Sequence, residues 1–143
     1  MRTFLLALFL TASPAVSSAA EIVMHRDPGC GCCEGWAAQV RKSFGRAVRV
    51  VDSADRRALQ RAAGMPPGMG SCHTAIIAEI AFEGHVPIAD MKRLLVERPR
   101  GVTGLAVPGM PVGTPGMEVP GRPADRYTVF AFGPGKMRSF ATH

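Results

Sequence analysis

Four cysteines carry the reactive chemistry of this chain, and three of them crowd into Cys30-Gly31-Cys32-Cys33, with Cys72 as the fourth. Thiolates gathered this closely can exchange electrons with a disulfide or hold a soft metal ion. Cys30 and Cys33 also form a C-x-x-C spacing with a third cysteine inserted between them. Neighbouring cysteines bridge one another only with strain, so the adjacency of Cys32 and Cys33 argues against a simple pair of structural disulfides. The chain also holds eight methionines. Thiolate and thioether ligands select Cu(I), whereas zinc sites use cysteine, histidine and carboxylates. One thiolate can bridge two metals, so crowded sulfurs fit a small Cys-bridged copper cluster better than a mononuclear site. His73, beside Cys72, is placed either to ligate or to hydrogen-bond a ligand, while His25 and His85 read as structural.

These residues need elements to position them. Ile22-Val23-Met24-His25 reads as a strand, and Trp36, Val40 and Phe44 recur as one apolar stripe of a helix. The cysteine cluster therefore sits on a strand-to-helix turn, with Cys32 and Cys33 in the first helical turn. Unpaired N–H groups and the helix dipole there favour thiolate. Gly45 stops the helix, Ala47–Val51 forms a second strand, and Asp52 or Ser53 caps a second helix running to about Ala63 with Leu59 inward. Met65–Gly70 is a loop that delivers the chain to Ser71-Cys72-His73. Thr74–Ile77 and Ile80–Glu83 read as an antiparallel hairpin whose turn, Ala78-Glu79, lacks the usual Asn or Gly. A third helix follows with Pro87 at its first position, buries Ile88, Met91, Leu94 and Leu95, and ends at Arg98-Pro99. The order β-α-β-α-β-β-α predicts an α/β, thioredoxin-like domain with a mixed sheet, flanking helices and the hairpin at its edge. In that arrangement Cys72 enters the third strand facing the cysteine turn.

The N-terminus reads differently from the rest. Arg2, an apolar run from Phe4 to Leu10 and an Ala/Ser-rich stretch to Ala20 match a secretory signal peptide over residues 1–20. Its removal takes away one basic residue and no acid, leaving 16 basic against 11 acidic side chains, net +5. The basic residues are scattered and the chain has one Trp and one Tyr, which fits a solvated surface and not a nucleic-acid site. The mature chain is expected to be exported, free of the membrane and monomeric.

Between Pro99 and Pro123, six Gly and six Pro fill 25 positions, too many for regular structure. The segment nonetheless carries Leu105, Val107, Met110, Val112, Met117 and Val119, and it repeats Pro-Gly-Met at residues 108–110 and 115–117. Tyr127–Phe132 closes the chain as one more strand and anchors the segment at its far end. The expected organisation is a signal peptide (1–20), a metal-binding domain (21–98) and a C-terminal extension (99–143) packed on that domain.

Cys30-Gly31-Cys32-Cys33, Ser71-Cys72-His73-Thr74-Ala75, Glu83-Gly84-His85-Val86-Pro87 and Gly104–Pro111, continuing to Gly116-Met117-Glu118, resemble the CopG-type family of exported copper-resistance proteins. The resemblance covers nearly the whole mature chain. It implies a thioredoxin-like domain whose C-terminal extension helps bind copper, in more than one ion, and a periplasmic role in interconverting Cu(I) and Cu(II). Carried over by position, it implies Cys30, Cys32, Cys33 and Cys72 as ligands, followed by Met110 and Met117. Copper efflux or chaperone proteins are the partners that such a role would need. The competing readings are a thiol-disulfide oxidoreductase using Cys30 and Cys33, and a disulfide- or zinc-stapled structural module. The repeated methionines separate copper from both, because neither thiol exchange nor zinc needs thioethers.

Overall fold

Alternating burial builds the first strand, β1 (Ile22–Arg26): Ile22 and Met24 face the core while Val23 and His25 are only half-buried. The structure, a computed structural model, describes residues 21–143. The signal-peptide expectation over 1–20 lies outside the described residues. Helix α1 (Gly31–Phe44) follows, with Cys30 at its N-cap and Cys32 and Cys33 in its first turn, as the sequence implies. Its inward stripe is Cys33, Trp36, Ala37 and Val40, all fully buried. Trp36 also donates its indole N–H to the carbonyl of Val86 at 3.1 Å, so burial leaves no unpaired polar group on the ring. Gly45 ends the helix in the left-handed conformation.

Strand β2 (Val48–Asp52) lies parallel to β1, the pairing that a βαβ crossover requires. Helix α2 is shorter and later than the sequence reading, running over Arg57–Ala62. Asp52 belongs to β2 instead and accepts from Arg26 at 2.7 Å, while the Asp55 carboxylate accepts the N–H of Arg57. Leu59 is only half-buried, and no residue of α2 is fully buried, so this short helix rests on the surface.

Strands β3 (His73–Ile77) and β4 (Ile80–Glu83) form the expected hairpin. Its two-residue turn holds both Ala78 (φ 48°) and Glu79 (φ 68°) in left-handed backbone, the conformation that would favour Asn-Gly. The Arg98 guanidinium donates to the Ala78 carbonyl and braces this turn. Helix α3 (Ile88–Glu97) buries Asp90, Met91 and Leu94, with Pro87 as its N-cap.

The hairpin is central, which corrects its expected place at the sheet edge. Strand β5 (Gly104–Ala106) pairs parallel to β4, and β6 (Thr128–Gly133) and β7 (Lys136–Thr142) extend the sheet beyond it. The seven strands are ordered β2-β1-β3-β4-β5-β6-β7, with β3 antiparallel to β1. Gly104 permits β5, since a Cβ there would meet the Phe132 ring and the Ala81 carbonyl. The fold is thus an α/β mixed sheet with flanking helices, and the register Arg26↔His73 places the start of β3 beside the end of β1.

Candidate metal centre

Two ion-pair and hydrogen-bond clamps fix the two cysteine-bearing segments against each other. The Asp27 N–H donates to the Cys72 carbonyl at 2.9 Å, joining the turn after β1 directly to the residue before β3. Buried Arg56 spans the same junction, pairing with the Asp27 carboxylate and donating to the Ser71 carbonyl. Arg26 does the equivalent for the helix entry, donating to the Cys30 carbonyl at 3.0 Å and pairing with Glu34 and Asp52.

The Ser71–Thr74 segment has a third support from beneath. Glu83, fully buried at the end of β4, accepts the Ser71 N–H at 2.8 Å, the Thr74 hydroxyl at 2.5 Å and the Gln60 amide at 3.0 Å. Burial pushes the Glu83 carboxyl upward in pKa, against the opposing pull of these donors and Arg56.

The result is a compact group of four sulfurs. The Sγ atoms of Cys30, Cys32, Cys33 and Cys72 all lie within 4.8 Å of one another. Cys30 and Cys33 are joined as a disulfide, whereas Cys32 and Cys72 are free. Cys32 Sγ lies 3.4 Å from Cys30 Sγ, and Cys72 Sγ lies 3.4 Å from Cys33 Sγ. Burial pushes the Cys72 thiol up to about 11, with Cys32 adding to the shift. The thiolate enrichment expected from the helix end therefore does not reach Cys72, where desolvation wins, and the bonded Cys30 and Cys33 carry no thiol to ionise.

Cys72 has a nitrogen neighbour as well. His85 Nε2 stands 3.1 Å from its sulfur, and His73 Nδ1 stands at 3.5 Å. His85 Nδ1 lies 2.8 Å from the Pro115 carbonyl, which can only accept. The proton therefore sits on Nδ1, and the neutral ring turns the Nε2 lone pair toward Cys72. A ring nitrogen tied to a backbone carbonyl while the other faces a ligand cluster is the usual arrangement of a metal-ligating histidine. The sequence reading gave His85 a structural role; the structure sets it against Cys72, in a Cys72–His73–His85 group that could hold a metal ion. The signal was present in the hairpin register: continuing Ile77↔Ile80 and Thr74↔Glu83 by two residues sets Cys72 opposite His85. His73 is fully buried against Trp36, and its Nε2 has no partner among the described residues. His25 Nδ1 lies 3.1 Å from the Ser53 hydroxyl.

The methionines are placed by backbone. Gly116 presses on the first turn of α1, where a Cβ would fall 2.5 Å from the Trp36 nitrogen and 2.6 Å from the Cys32 carbonyl. Met117 follows directly and is half-buried. Its loop is tied down by Glu118, which accepts from Gln39 and from the Gly116 N–H, each at 2.8 Å. Met110 is 53% exposed, one residue after Gly109, whose carbonyl accepts the Ser71 hydroxyl at 2.5 Å.

The donor set fits copper. Four sulfurs, two of them free thiols, and an imidazole lone pair are soft and borderline ligands suited to Cu(I). The disulfide withholds two of the four thiolates, so full sulfur ligation belongs to the reduced form.

Comparison with solved structures decides the family. Two structures described as the copper resistance protein CopG, in forms 1 and 2, are each 40% identical to this chain. They superpose with TM-scores of 0.76 and 0.75, covering 86% of this chain and 96% and 97% of theirs. The chain belongs to the CopG family. A family model described as a protein of unknown function, DUF411, also matches residues 69–117, the stretch holding Cys72, His85 and the methionine repeats. No curated protein matches the chain. Among the described residues, no helix is long and apolar enough to cross a membrane.

Proposed function

We propose that this protein is an exported, periplasmic copper-binding protein of copper resistance. Copper is held by the thiolates of Cys30, Cys32, Cys33 and Cys72, which bridge more than one ion. His85, Met110 and Met117 complete the site from the loops around it. The observation that carries this reading is the meeting of four sulfurs within 4.8 Å, with an imidazole lone pair on the most buried free thiol. Residues 21–98 supply the cysteines on a thioredoxin-like body, a reading supported by the strand order β2-β1-β3-β4. Residues 99–143 act as the extension that closes over them.

The site also interconverts Cu(I) and Cu(II) in this reading. Oxidising the Cys30 and Cys33 thiols to the disulfide releases two electrons and two protons, and reduces two Cu(II) to Cu(I). Copper efflux or chaperone proteins then take the ion from a monomeric carrier.

The Cys30–Cys33 disulfide favours one second reading, a thiol-disulfide oxidoreductase. Substitution of Cys72 separates the two. Cys72→Ala should remove most bound copper, and Cys32→Ser should do the same without unfolding the chain. Insulin-type disulfide reduction through Cys30 and Cys33 should be unchanged or faster in Cys72→Ala. Full copper content in both variants, with strong reductase activity in the parent, would replace the copper reading by the second one.

A further inference from the structure

Three of the four sulfurs form a connected series. Cys30 is bonded to Cys33, and Cys72 Sγ stands 3.4 Å from Cys33 Sγ, with His85 Nε2 3.1 Å behind it. We infer that the chain catalyses an internal thiol–disulfide exchange in which Cys72 attacks Cys33 and releases Cys30. The roles follow from the contacts: Cys72 is the nucleophile, Cys33 the electrophile, Cys30 the leaving group and His85 the proton acceptor. The exchange stands on sulfur geometry alone and does not require copper.

The step balances without any outside oxidant. The Cys72 S–H proton passes to His85 Nε2, the Cys72–Cys33 bond forms, and the Cys33–Cys30 bond breaks. Cys30 leaves as a thiolate and takes a proton back, so the chain ends with one disulfide and two thiols, as it began. Attacking and attacked sulfurs are already neighbours, but the Cys72 and Cys30 sulfurs also lie within 4.8 Å of one another, so the Cys33 side chain must turn to bring the Cys33–Cys30 bond into line with Cys72.

The two isomers present different chemistry to the outside. With Cys30 bonded to Cys33, one free thiol is Cys72, which is only 8% exposed. With Cys33 bonded to Cys72, both buried sulfurs are consumed and Cys30 and Cys32 become the free pair. Those two are half-buried beside exposed Gly31, with sulfurs 3.4 Å apart. The exchange thus moves the reactive thiols from the interior to the surface turn, where a soft metal ion or an incoming disulfide can meet both. The new bond also ties α1 to the start of β3 across 39 residues of sequence, in place of a bond spanning three.

Peptide mapping of the metal-free, singly oxidised full chain tests this. Free thiols are capped with N-ethylmaleimide and the protein is cut with trypsin. Cys30, Cys32 and Cys33 fall in the peptide 27–41, and Cys72 falls in 62–92. The expected result is a fraction of molecules with these two peptides disulfide-linked and the caps on Cys30 and Cys32. That fraction should rise to nearly all oxidised molecules in Cys30→Ala and fall to none in Cys72→Ala. Parent protein whose peptides stay separate, as in Cys72→Ala, would overturn the proposal. So would a linked pair carrying its cap on Cys33.

Discussion

His85 shows how one ring can join two parts of the molecule. Its Nδ1 is held by the Pro115 carbonyl in the C-terminal loop, and its Nε2 meets Cys72 at the head of β3. His85→Ala should therefore weaken Cu(I) binding by about 10–100-fold, the range seen when groups that orient or complete a metal site are lost. Competition with a coloured Cu(I) chelator measures this, with circular dichroism to show that the fold is kept; unchanged affinity would remove His85 from the site. His73 makes a separate prediction, about stability. Burial, with His85 and Arg56 adding to it, lowers its pKa to about 3. The unfolded chain titrates near 6.5. Below that value the unfolded state takes a proton that the folded state refuses, so the stability His73 carries is complete above pH 6.5 and is lost as pH falls toward 3. The loss is about 1.4 kcal/mol per pH unit for one proton. His85 shifts in the same direction, while Glu83, raised by burial, works the opposite way. In metal-free His73→Phe, urea midpoints should fall less steeply than in the parent between pH 6.5 and 3, and parallel curves would contradict this. The cysteines were legible in the sequence from type and spacing alone. His85 and Glu83 were not, because their meaning depends on partners brought by register and by distant loops.

At the scale of elements, β1, α1, β2, the β3–β4 hairpin and α3 follow their sequence pattern, whereas α2 is shortened and β5 and β7 are not announced. Trp36, Val40 and Gly45 announce α1, and the alternation in β1 announces its inward face. Strand β5 hides inside a Pro/Gly-rich stretch because three residues carry no periodicity. It forms because β4 is buried on both faces and its outer edge needs hydrogen-bonding partners. Strand β7 hides for a different reason. Most of its residues are exposed, with Lys136 and Arg138 along it, the charged character that protects a sheet edge from further pairing. The methionine loop depends most on Gly116, whose φ of 84° and approach to α1 leave no room for a side chain. Gly116→Val should lift residues 113–118 off the helix and expose them. Endoproteinase Glu-C should then cut after Glu118, no longer tied to Gln39 and the Gly116 N–H, at least several-fold faster than in the parent, and bound copper should fall. Equal cutting rates would mean that the contact with α1 does not hold the loop.

For the whole molecule, one continuous seven-stranded sheet links the cysteine turn to the C-terminal extension. The extension is therefore built into the same sheet that sets the register of β1 and β3, and its Met117 loop reaches back to the helix bearing Cys32 and Cys33. Sequence reading could see that the extension was apolar and repetitive, but not that it adds three strands. That outcome rests on an open edge of β4 which no local pattern announces. The central claim is that the four cysteines together hold copper. X-ray absorption at the copper edge, on reduced protein loaded with Cu(I), tests it most directly. The account predicts a sulfur-dominated first shell with a short copper–copper vector, both lost in Cys72→Ala. A shell of nitrogen and oxygen alone, or a spectrum that Cys72→Ala leaves unchanged, would contradict it.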